Sequence, residues 1–120
     1  MKDLNVKKIQ HTLEEFVKER NWDQFHSVKN LTMALSVESS ELVELFQWLT
    51  TEQSNTINER EEDFIKVKEE VADIFAYLLR ICDKLDIDIE EVIMDKIQKN
   101  REKYPIDKSY GLATKYNQLK

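Results

Sequence analysis

The chain has 120 residues, a formal net charge of −6 and 35% charged residues, with one Gly, one Pro and one Cys. That length favours a single domain with a modest core. So few turn-forming residues among so many Glu, Lys, Leu and Ile exclude a strand-rich fold and point to an all-α one. The acidic balance excludes a general nucleic-acid binder, because a polyanion wants a basic surface.

Four helical segments are expected. The first covers residues 3–20, where Val6, Ile9, Leu13, Phe16 and Val17 repeat at helical spacing. An aromatic-rich connector follows, "NWDQFH", holding Trp22, Phe25 and His26. Ser27 is the expected N-cap of a second helix reaching residue 50. On it Leu31, Glu38 and Leu45 share one stripe and Ala34, Glu41 and Trp48 the next, so two carboxylates stand where apolar residues belong. The polar run 50–59 reads as a loop.

The third helix, 60–85, places Lys66, Glu70, Asp73, Tyr77 and Arg80 on one narrow file. The rest of its circumference is apolar, so the helix should be largely buried, with Cys82 a buried thiol in a reducing cytoplasm. Asp88 with Glu91 resembles a capping box and opens a fourth helix that ends before Pro105. Residues 1–105 are thus expected to form one helical domain and 106–120 a partly irregular tail. The charged first residues and the lack of an apolar run of about eighteen residues speak against a signal peptide and a membrane span.

Two E-x-x-[ED] pairs, Glu38/Glu41 and Glu70/Asp73, each set two carboxylates on adjacent turns of one face. If the helices lie side by side, four acids converge. Uncompensated buried charge costs several kcal/mol per ion, so something positive should sit between them. Oxygen-only ligands suit Mg²⁺, with Mn²⁺ as the alternative. Bound protons, or a salt-bridge network with Lys66 and Arg80, remain open on this argument. A redox di-metal bundle is disfavoured, since neither His11 nor His26 has a Glu three residues before it.

At these residues the sequence resembles the MazG-like, all-α nucleoside triphosphate pyrophosphohydrolases, in particular their dCTP pyrophosphatase branch. "ESSE" (Glu38, Glu41) and "EVAD" (Glu70, Asp73) match the family's acidic pairs. "ERNWDQFH", "ELFQW" and "KNREKYP" match its flanking pieces in order. The resemblance implies a four-helix MazG-like bundle whose core is completed by oligomerisation, as a tetramer built from two dimers or else a dimer. It implies hydrolysis of a deoxynucleoside triphosphate, dCTP or a modified pyrimidine form, to the monophosphate and pyrophosphate. In that reading Glu38, Glu41, Glu70 and Asp73 are metal ligands and catalytic groups. Lys96 and Asn100 reach the nucleotide, and Lys103, one turn on, joins them on one face of the fourth helix; on spacing alone both lysines are ordinary surface residues.

Trp22, Phe25, His26 and Trp48 are candidates for holding the base; for Trp22 and Phe25 the alternative is a loop anchored in the core. Tyr77, one turn after Asp73, would lie near the sugar and crowd a 2′-hydroxyl. Arg80 would serve phosphate or balance the acids. The partner is a small nucleotide, with no nucleic acid and no membrane. The competing reading is a non-catalytic helical interaction module with a structural acidic and basic network.

Overall fold

In the computed structural model, which describes residues 1–113 and 115–118, α1 spans Val6–Glu19. It begins at Asn5, whose side chain accepts a hydrogen bond from Lys8 N at 3.0 Å. Val17 is buried on its inner stripe, whereas Phe16 lies at the edge and is exposed. The chain reverses at Asn21, in the left-handed region at φ 54°, which a short polar side chain tolerates. A single tight turn, Asp23–Phe25, carries the connector to Ser27.

Ser27 caps α2 (Val28–Phe46) as expected, its Oγ accepting from Asn30 N at 3.1 Å. This helix stops at Phe46 rather than reaching residue 50. The cause is Thr50, which starts a helix of its own, α3 (Thr51–Asn55). Gln53 N donates to Thr50 Oγ1 at 3.1 Å and Thr50 N to Gln53 Oε1 at 2.9 Å, a complete capping box. The stretch expected to be a loop therefore holds α3 and a further turn, Ile57–Glu59, pinned by buried Ile57.

α4 runs over Glu61–Leu85 with three acids in its first turn, where the helix dipole favours them. It ends at Asp86, again left-handed at φ 54°. Described by itself, the unit Met1–Asp86 is built on the packing of α2 against α4, with α1 also on α4. Its core is Val17, Leu31, Ile57, Leu79 and Cys82. The expectation that α4 is largely buried is corrected: only Leu79, Arg80 and Cys82 are buried, and Val71 stands 52% exposed. Two neighbouring helices cover only part of its circumference, and the rest of its apolar surface lies open in the single chain.

The unit Ile87–Lys120 holds α5 (Ile89–Lys103) and short α6 (Ile106–Ser109). Asp88 caps α5 by accepting from Glu91 N at 3.0 Å, and Pro105 follows its end. Beyond α6 come Gly111 at φ 74° and a turn at Tyr116–Gln118. The expected irregularity of the tail at residues 114, 119 and 120 lies outside the described residues. Among the described residues there is no strand, and no helix is long and apolar enough to cross a membrane.

Candidate functional site

Helical spacing alone sets Glu38 one turn before Glu41 on α2, and the packing of α2 on α4 brings Glu70 against them. Each of these three carboxylates offers an oxygen, and the three oxygens lie within 4.8 Å of one another. Asp73, one turn further along α4, is exposed and falls outside that group, yet its charge still acts on Glu38. Of the four acids expected to converge, three meet and the fourth borders them.

Like charges at this separation oppose ionisation. The Glu38 carboxyl is raised from its ordinary 4.5 to about 7, first by sharing a hydrogen bond with Glu70, then by burial, then by Glu41. Apart from that shared proton, Glu38 Oε2 and Glu70 Oε2 are buried and meet no hydrogen-bond donor among the described residues. Among the described residues no lysine or arginine is ion-paired to Glu38, Glu41, Glu70 or Asp73. Lys66 is exposed, and Arg80 turns elsewhere. The alternative of a salt-bridge network in which Lys66 and Arg80 balance the acids finds no ion pair to support it among the described residues. Buried orphan oxygens on an all-carboxylate donor set fit a hard divalent cation.

Tyr77 lies half-buried on α4, its phenol raised by burial and then by the charges of Glu38 and Asp73. It therefore sits within electrostatic reach of the acids. Arg80, one turn on, has a side chain only 7% exposed. Its Nη2 donates to Asp23 Oδ1 at 3.3 Å, and its Nη1 lies 3.7 Å from Asp83 Oδ2. Lys84 Nζ donates to the same Asp23 Oδ1 at 2.6 Å. That hydrogen bond holds the Asp23 carboxyl below its ordinary range. These side chains, with Glu14, Val17 and Lys18 of α1, border a cavity of about 350 Å³. Asp23, Asp83 and Lys84 were not picked out from the sequence. Asp23 lies 57 residues before Arg80 and 61 before Lys84, and only the i, i+4 basic pair on α4 hinted at a shared anion.

The connector aromatics face outward. Phe25 and Trp22 are exposed, so the alternative that they anchor a loop in the core is excluded. Trp22 meets Phe16 edge-on at 5.7 Å and 76°, and the Arg20 guanidinium covers the Phe16 ring at 3.8 Å. His26 is half-buried, with Nδ1 unpartnered and its basicity lowered by burial and then by Arg80. Trp48 is 88% exposed in the turn after α2, not two helical turns from Glu41 along one stripe. In the second unit Lys96, Asn100 and Lys103 lie on exposed positions of α5.

A model of the MazG-like family matches residues 33–119. The chain is 37% identical over 105 residues to dCTP pyrophosphatase 1 of Bos taurus, 35% to that of Rattus norvegicus and 33% to that of Homo sapiens. Each alignment covers 88% of this chain, which spans only 62% of the length of those relatives. The crystal structure of a pyrophosphatase from Archaeoglobus fulgidus superposes with a TM-score of 0.78 at 35% identity, covering 88% of this chain and 96% of that one.

Proposed function

The chain belongs to the MazG-like family, and from that premise we propose that it is a Mg²⁺-dependent nucleoside triphosphate pyrophosphohydrolase acting on dCTP or a modified pyrimidine deoxynucleotide. The products are the monophosphate and pyrophosphate, a reaction that cleanses the nucleotide pool. The observation that carries this reading is the set of three carboxylates with oxygens within 4.8 Å of one another, two with buried oxygens that meet no donor and none with a basic partner among the described residues. A structural salt-bridge module would have supplied that partner. The names of the relatives, dCTP pyrophosphatase and pyrophosphatase, support the direction of the chemistry.

Glu38, Glu41 and Glu70 would hold the cation, with Asp73 at the edge of the site. When bound, Mg²⁺, or Mn²⁺ in its place, supplies charge neutralisation between these acids and the triphosphate and acidifies water. Glu38 or Glu41 would accept the proton of the attacking water. Tyr77 borders the sugar and disfavours a 2′-hydroxyl. Trp22, Phe25, His26 and Trp48 offer the base flat surfaces, and stacking on such faces is worth about 1–3 kcal/mol per base. Lys96, Asn100 and Lys103 are assigned to the phosphate tail on the resemblance alone.

Residues 1–105 form the catalytic domain in this reading, and the enzyme works in the cytoplasm. The open apolar surface of α2 and α4, including Met33, Val37, Val43 and Val71, supports assembly as a tetramer of two dimers, with a dimer as the alternative. The test is pyrophosphate release from a panel of deoxynucleoside triphosphates with Mg²⁺. Turnover of a pyrimidine nucleotide that vanishes in Glu41→Gln and Asp73→Asn is expected. Release from none of the panel refutes the assignment.

A further inference from the structure

The cavity beside Arg80 is too polar to be a packing defect and too weakly bonded to be a finished salt bridge. A guanidinium carries five N–H donors. Arg80, nine-tenths buried, satisfies them with one hydrogen bond of 3.3 Å and one ion pair stretched to 3.7 Å, and its Nε is buried without a partner. Buried donors as poorly matched as these are rare in finished cores. Asp23 complements them: Arg80 and Lys84 both fall on its Oδ1, so Oδ2 remains as an ionised acceptor on a side chain 60% exposed to the cavity's mouth. The cavity thus offers a fixed donor next to a fixed acceptor, the pattern that a nucleobase edge answers.

Position agrees. Arg80 follows Asp73 by seven residues on the same file of α4, about 10.5 Å at 1.5 Å per residue. That is comparable to the span of a nucleoside monophosphate, and Tyr77 lies between, where the sugar would fall. Trp22 is covalently next to Asp23, so the residue that would face the base and the residue that would read its edge move as one. At about 350 Å³ the cavity is near the lower end for small-molecule sites, which favours a single ring.

Resting on the pyrophosphohydrolase reading, we propose that this cavity receives the polar edge of the base, with Asp23 Oδ2 accepting from an exocyclic amine and Arg80 donating to the adjacent ring nitrogen or carbonyl. Among pyrimidines only cytosine presents that amine beside an acceptor. In that register uracil and thymine place the O4 carbonyl against Asp23, two acceptors facing each other, and their N3–H against the Arg80 donors. Lys84 and Asp83 act as positioning residues, holding Asp23 and Arg80 in place.

The experiment measures binding of dCMP, dTMP, dGMP and dAMP to the intact protein by quenching of tryptophan fluorescence, alongside pyrophosphate release from the matching triphosphates. Wild type should bind dCMP at least about tenfold tighter than dTMP. Asp23→Asn, at an exposed position that leaves the core intact, should bring that ratio to within about twofold. Arg80→Lys, which keeps the charge but loses the fork, should weaken dCMP more than dTMP. Circular dichroism confirms that each variant keeps its helices. An unchanged ratio in both variants, a wild-type preference for a purine, or no binding of any nucleotide overturns the assignment. If cytosine preference follows Asp23 while no triphosphate yields pyrophosphate, the hydrolase reading falls and the cavity assignment stands.

Discussion

α4 carries two charged sites, one on either side of Tyr77, and they are built on opposite principles. Around Glu70 three acids gather with no cationic side chain paired to them among the described residues, and two of their oxygens are buried. Around Arg80 acids and bases alternate, each with a counter-charge within 3.7 Å. The first arrangement is destabilising until something positive enters; the second is neutralised within the chain and ties the connector to the helix, though the Arg80 donors are incompletely matched. The uncompensated cluster supports the proposed cation site at Glu70, and the paired charges fit the proposed reading of the base at Arg80.

The sharpest way to break this contrast is Glu41→Gln. It should lower pyrophosphate release by at least about a hundredfold, yet raise the melting temperature of the metal-free protein, because one of three repelling charges is gone. A fall in both would mean that the cluster is structural. Arg80→Met should do the reverse: removing the buried cation leaves Asp83 without its partner, costing about 1–3 kcal/mol by chemical denaturation.

The pH dependence separates the sites further. Glu38 titrates near 7 in the folded chain against an ordinary 4.5. Between those values the native state holds a proton that the unfolded chain has released. Stability of the metal-free protein should therefore decline as pH rises through that window. A divalent cation competes with that proton, so thermal stabilisation by Mg²⁺ should be larger at pH 8 than at pH 5 in calorimetric scans. Equal gains at both pH values would remove Glu38 from the cation site. The smallest effect is expected for Trp48→Ala: at 88% exposure it should change stability by less than about 0.5 kcal/mol. Its signature would instead be a raised KM for the nucleotide.

The long helices were legible because their signals are local. Ser27 and Asp88 cap where the sequence places them, and the α2 and α4 acids stand out against apolar neighbours at helical spacing. The same kind of signal was overlooked at Thr50, whose T-x-x-Q pattern is a capping box and ends α2 early. The meeting of Glu38 with Glu70 could be anticipated, since both helices break their apolar pattern in the same way. The Asp23 site could not: it joins a connector to a helix about sixty residues later, and two of its three charges, Asp23 and Lys84, look like ordinary surface residues. Burial of α4 was over-read because helical periodicity reports which faces are apolar, and not whether this chain or another covers them.

Cys82 gives the molecule a built-in clock. Its thiol is buried and its ionisation is pushed up by that burial, so an alkylating reagent reaches it only when the end of α4 opens. As the chain has one cysteine, every labelling event reports on that helix alone. Slower labelling with nucleotide bound would register closure at Arg80, and slower labelling with magnesium alone would register tightening at Glu70, in a single measurement on the unmodified protein.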